Sequence, residues 1–186
     1  MMKEQNPSKG KLLVSEPSIL NDKAFNRSVI FLSEHNDDGC IGFIINKPTD
    51  FVLKDLITEI NCDFKIYNGG PVEQDNLYFI HKLPNLIPNS IEIDKDIYWG
   101  GDFDILADLL NTKSVNPSDI RFFLGYSGWS VSQLKEELEE STWIVVENKY
   151  PNILQVESDE IWKNQLLEFG GEYQIWANAP KNPNLN

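Results

Sequence analysis

Basic residues are scarce in this chain, and arginine most of all. Lys and Arg number 16 against 29 Asp and Glu, a formal net charge of −13, and Arg27 and Arg121 are the only arginines. So acidic a surface repels a phosphate backbone unless its cations gather on one face. The basic residues are scattered, with no polybasic run, so direct nucleic-acid binding is disfavoured. Cysteine and histidine are scarcer still, with Cys40 and Cys62 and with His35 and His81. Two cysteines without CxxC spacing build neither a disulfide scaffold nor a Cys/His metal cluster, and the sequence implies no metal and no cofactor. No apolar run approaches the roughly 18 residues that span a bilayer. The opening "MMKEQNPSKGKLL" lacks the apolar stretch of a signal peptide, and the expectation is a soluble cytoplasmic protein without membrane contact.

Apolar residues are plentiful, at 41% of 186 residues with ten Phe, six Tyr and five Trp. That is enough for one well-packed domain and short for two. Residues 1–9 read as a flexible N-terminus, 10–177 as a single domain and 178–186 as a C-terminal tail. Strands are expected at 11–15, 28–35, 39–48, 64–72, 76–83, 119–126 and 142–147, with extended pieces at 91–101 and 173–177. The short Asn-Asp-Asp-Gly link between the second and third strands predicts an antiparallel hairpin. Both runs are apolar in consecutive positions, as central strands covered on two faces would be. Helices are expected at 49–60, at 103–111 capped by Asp102, at 130–140 with capping-box spacing from Ser130 to Gln133, and at 159–171. Hairpins mixed with strand–helix alternation argue for an α+β domain rather than a doubly wound parallel sheet.

The stretch "FLGYSGWS" (123–130) raises the question of catalysis. Gly125-Tyr126-Ser127-Gly128-Trp129 approaches the G-x-S-x-G nucleophile elbow, with a strand before it and a helix after. Trp129 stands where that motif has a glycine that lets helix and strand pack closely. Both histidines precede Ser127, whereas the hydrolase order places histidine last. A serine nucleophile completed by His35 or His81 with Asp94, Asp96 or Asp104 is therefore the lesser reading. On the preferred one, the glycines permit special backbone angles, Tyr126 and Trp129 anchor the packing, and Ser127 or Ser130 caps the following helix. The start of that helix also offers N–H groups to a small anion. Ion pairing is the default expectation for Arg27 and Arg121, which both begin apolar strands, with anion binding as the alternative. "YNGGPV" lacks the spacing and the lysine of a phosphate loop.

Taken in order, "FNRSVIFLSEH", "GCIGFIINKP", "YNGGPV", "WGGDFDIL" and "RFFLGYSGWSVSQLKEEL" resemble the YqgE/AlgH family of bacterial proteins. The resemblance runs from about Gly10 to Trp176. It implies one compact α+β domain, with a mixed, strongly curved or barrel-like β-sheet flanked by helices. It brings no established catalytic residues. One branch of the family carries a label as a transcriptional regulator of alginate synthesis. A helix at 130–140 with Glu136, Glu137, Glu139 and Glu140 against Lys135 would be repelled from a DNA groove.

These readings converge on a non-enzymatic binding protein with an indirect regulatory role, its partner an unknown protein or a small anionic ligand. A hydrolase-like or other small-molecule enzyme using the GYSGW turn, and a DNA-binding regulator, are the alternatives. The candidate ligand-binding residues lie in the family's turns: Arg27, His35, Asn46, Lys47, Asn68, Gly69, Gly70, Gly125, Tyr126, Ser127, Gly128 and Trp129. Those turns serve equally well as backbone corners where glycines are needed.

Overall fold

A hairpin of β2 (Val29–Asn36) and β3 (Gly39–Ile44) forms the centre of the fold, antiparallel with Phe31 opposite Phe43 and Asn36 opposite Gly39. The computed structural model describes residues 6–19 and 22–180. The hairpin is apolar on both faces because each face meets its own core. Val29 and Phe31 point to one cluster with Trp162 and Leu166, while Ile30 and Leu32 point to another with Trp129, Leu134 and Trp143. Alternation along a pleated strand sends neighbours to opposite layers.

Around the hairpin lie β1 (Leu12–Ser15), β4 (Pro48–Val52), β5 (Lys65–Asn68), β6 (Val72–His81), β7 (Ile91–Asp94), β8 (Ile97–Trp99), β9 (Ile120–Trp129) and β10 (Trp143–Val146). The strand order is β10-β1-β2-β3-β9-β6-β8-β7, with β5 parallel to β9 and β4 on the outer side of β5. The sheet is therefore mixed, and this path is open from β10 to β7 rather than closed into a barrel. The α+β single domain expected from the sequence is what the chain builds.

The long strand β9 joins two half-sheets. Its first part pairs with β5 and β6, as Phe123 with Tyr67 and with Tyr78. Its last part leaves them for β3, with Ser127 opposite Gly42 and Trp129 opposite Cys40. The hand-over falls at Gly125, whose φ of 69° lies in the left-handed region, and the β6 register slips beside it between Val72 and Leu77. The motif read as a strand-to-helix turn is thus strand as far as Trp129.

Helices α2 (Phe103–Asn111) and α3 (Val131–Glu139) begin where their caps predict. Asp102 Oδ1 accepts from Ile105 N at 3.1 Å, and Ser130 Oγ from Gln133 N at 3.2 Å. The capping box of α3 is half made, because the Gln133 side chain donates to Glu137 instead. Glu137 turns inward toward two tryptophans.

Two expectations fail. The helix at 49–60 shrinks to α1 (Leu53–Leu56), because Pro48 and Val52 pair with Tyr67 and Lys65, and Thr49 Oγ1 donates to the Ile66 carbonyl. Leu53 and Ile60 still reach the core beside α2, so the apolar spacing was real but shared between a strand, one turn and a loop. The extended piece at 173–177 is helix α5 (Tyr173–Asn178), which follows α4 (Ile161–Phe169) after Gly170 and Gly171, both at positive φ. The Phe169 and Tyr173 rings meet edge to face across that corner, and packing there overrides the β-leaning residues. Residues 1–5 and 181–186, within the expected termini, lie outside the described residues, whereas Ala179 and Pro180 touch the fold through Arg27.

Candidate functional site

The twelve candidate residues separate into three places. Asn68, Gly69, Gly70, Gly125, Tyr126 and Ser127 form a crossing of two chain segments. Gly69 N donates to Leu124 O at 2.9 Å, and Gly69 O accepts from Ile44 N at 2.9 Å and from Ser127 Oγ at 3.1 Å. Asn68 Oδ1 accepts from Gly70 N at 3.1 Å and sets the turn. A Cβ on Gly69 would lie 2.3 Å from the Gly125 oxygen, and one on Gly70 would lie 2.3 Å from the Tyr126 backbone. The glycines of "NGG" and "GYSG" are thus there so that two backbones can touch. Ser127 is 0% exposed and has neither histidine among its partners, so it has no nucleophile geometry, and α3 is capped by Ser130 instead.

Gly128, Trp129 and His35 lie at one end of the β2–β3 hairpin. Gly128 and Trp129 line a shallow hollow of about 420 Å³ with Glu34 and Asp38, an acidic rim unsuited to an anion. His35 is exposed beside it, opposite Cys40. His81 is buried: Leu83 N–H donates to its Nδ1 at 3.0 Å, which leaves the proton on Nε2, 3.0 Å from the Gly100 oxygen.

Arg27, Asn46 and Lys47 lie at the other end of β2, on a cleft of about 580 Å³. Arg27 has φ 53°, unusual for a residue with a side chain. The loop that holds it is pinned by Asn46, whose Nδ2 donates to Arg27 O at 2.9 Å while its Oδ1 accepts from Val29 N at 2.8 Å. The Arg27 guanidinium lies 5.1 Å from the centre of the Trp162 ring and donates to the Ala179 and Pro180 carbonyls at 3.0 and 2.9 Å. Trp162 is itself held by its indole N–H on Ser15 O at 2.9 Å. Lys47 Nζ donates to Ala24 O at 2.5 Å, and burial pulls its pKa below the usual lysine value against the opposing pull of Asp22. Among the described residues neither Arg27 nor Lys47 has a carboxylate at ion-pair distance. Lys163, Asp159 and Glu160 complete the rim.

Among the described residues the expected ion pair is missing from Arg121 as well. Its Nη1 donates to Ile45 O at 2.7 Å, and its guanidinium stacks 4.2 Å above the Tyr67 ring. Both arginines therefore pair with an aromatic face and with carbonyls, an arrangement that single-strand context could not reveal. No grouping of His, Cys, Asp and Glu suited to a metal occurs among the described residues, and no helix there is long and apolar enough to cross a membrane.

Comparison with known proteins places the chain. Residues 12–174 match the family described as AlgH-like. A UPF0301 protein of Cytophaga hutchinsonii is 39% identical over 181 residues, 96% of this chain and 99% of that one. A UPF0301 protein of Chlorobaculum parvum is 38% identical over 178 residues, 95% of each chain. Among solved structures, a Corynebacterium diphtheriae protein superposes with a TM-score of 0.76 at 20% identity, covering 96% of this chain and 95% of that one. The AlgH protein of Pseudomonas aeruginosa gives 0.71 at 23% identity, covering 96% and 98%. At such identities the structures speak for the fold, while the sequence matches speak for kinship. The chain belongs to the AlgH-like family.

Proposed function

We propose that this protein is a non-enzymatic, cytoplasmic binding protein that takes a small anionic ligand in the Arg27 cleft and exerts any regulatory role indirectly, through that ligand. One observation carries the reading. In a protein of net charge −13, two partly buried cations, Arg27 and Lys47, face one cleft with no carboxylate among the described residues at ion-pair distance. Desolvated cations are costly unless something compensates them, and carbonyls do so only in part. Trp162 and Asn46 hold Arg27 in place before any ligand arrives, which lowers the entropy cost of binding. The two cysteines form no disulfide, in keeping with a reducing compartment.

Titration of the full chain with inorganic phosphate and with citrate, followed by calorimetry, tests this. Saturable binding weakened about tenfold in both Arg27→Ala and Lys47→Met is expected, the loss of one charge-assisted contact. Lys47→Met keeps the apolar stem, so a folding defect in Arg27→Ala does not blur the outcome. Binding as strong in both variants as in the parent, or none of either anion at millimolar concentration, overturns the assignment.

A further inference from the structure

A second cation is buried away from the Arg27 cleft, and it has a cavity of its own. Arg121 is 6% exposed, yet among the described residues no carboxylate lies within ion-pair distance. Exposed Glu157 acts on it only through the longer-range field. Its contacts are the Ile45 carbonyl at 2.7 Å, the Val156 carbonyl at a long 3.4 Å, and the Tyr67 ring. The remaining N–H groups, Nε–H among them, have no hydrogen-bond partner among the described residues. Trp99 Nε1 alone is a fully buried side-chain polar atom without a partner among the described residues, so the spare Arg121 donors still reach solvent. A guanidinium this buried, with open donors and no counter-charge in contact, favours an anionic ligand there.

The surroundings say what kind of ligand. Arg121 lines a cavity of about 290 Å³ with Tyr67, Phe64, Leu154 and Ile120 as apolar walls. Lys65, two residues before Tyr67 and so on the same face of β5, stands at the rim on the strand parallel to Arg121, as the register Ile66 to Phe122 requires. Asp63, also at the rim, is already paired with Lys54. The local balance is therefore positive in an otherwise acidic protein.

We infer that this cavity is a binding site for a small organic carboxylate with a flat apolar body. The carboxylate meets the open edge of the Arg121 guanidinium, with Lys65 as the second cation, and the body lies among Phe64, Leu154 and Ile120. Planar fork-to-carboxylate pairing suits arginine better than a spherical ion would, and the cavity leaves room for little more than one ring. The site stands independently of the Arg27 cleft.

Because the chain has two arginines, protein labelled with ¹⁵N-arginine gives two Nε–H signals, and Arg27→Lys identifies each. Titration with benzoate is expected to move the Arg121 signal saturably and to leave that of Arg27 in place. Lys65→Glu, an exposed substitution, and Leu154→Trp, which fills the cavity, should each weaken binding about tenfold. Benzyl alcohol, which has the ring without the charge, should not move the signal. The proposal is overturned if millimolar benzoate leaves the Arg121 signal unmoved, if it moves Arg27 alone, or if both variants bind as the parent does. Phosphate acting where benzoate does not overturns the carboxylate assignment.

Discussion

The hydroxyl of Ser127 donates to the carbonyl of Gly69 at 3.1 Å, across 58 positions of sequence, inside a crossing closed to solvent. That bond defines the role of the serine in the family's most recognisable stretch. Fluorophosphonate probes should therefore leave the folded protein unlabelled, as read by mass spectrometry. Ser127→Ala should keep the fold and lose about 1 kcal/mol, because Gly69 O retains its bond from Ile44 N. Labelling at Ser127 would contradict the buried geometry.

The glycines at the crossing differ in kind from those at open turns. Gly70→Ala would place a Cβ 2.3 Å from the Tyr126 backbone, and loss of roughly 3 kcal/mol or more, or failure to fold, is expected. Gly100, at φ 66° with nothing within 4 Å of a Cβ, should cost only about 1 kcal/mol on the same change. Urea unfolding of both variants tests the contrast, and equal losses would refute the close-approach account.

Glu137 Oε2 accepts both the Trp129 indole at 2.9 Å and the Trp143 indole at 2.7 Å, tying α3 to β9 and β10. Glu137→Ala strands two partly buried donors and should cost about 2–4 kcal/mol. Glu137→Gln keeps one acceptor oxygen and should cost about half of that. Tryptophan fluorescence during denaturant unfolding reads both, and a near-neutral alanine variant would remove the clamp from consideration.

His81 gives a pH dependence of known sign. Burial lowers its pKa in the folded protein, with a smaller opposing effect of the Gly100 carbonyl. On acidification the unfolded chain therefore takes up its proton first, near pH 6.5, and stability falls as pH drops below that value. Above it the histidine is neutral in both states and contributes no slope. His81→Asn keeps an acceptor for Leu83 N–H and removes the titration. Its urea midpoint should lose less than the parent's between about pH 6.5 and 5, and parallel curves would exclude His81 as the cause.

What could be read from the sequence was local. Asp102 and Ser130 announce their helices because a cap is satisfied within three residues. The β2–β3 hairpin is legible because its apolar runs and the turn between them are contiguous. The helix at 49–60 misled because its apolar spacing also fits a strand, a turn and a loop that serve the same core. The list of site candidates contained Arg27, Asn46 and Lys47, which the fold does bring together on one cleft. It also contained glycines whose role is contact between backbones, and a turn pattern cannot tell these apart. Glu137 carried no signal, since it looks like any helical glutamate, and Arg121 was legible only as a scarce arginine at a strand start, with its aromatic and carbonyl partners hidden.

The amino-acid order by itself therefore determined the α+β class, the main caps, the central hairpin and membership of a family. These rest on side chains acting within a turn or two of their neighbours. Tertiary structure alone decided that "GYSGW" crosses "NGG", that both arginines lie on aromatic rings, and that two cavities are lined by cations with no ion pair among the described residues. The contacts responsible join residues 58, 76 and 152 positions apart. Burial and counter-charge at such distances are properties of the packed chain, and no window of sequence contains them.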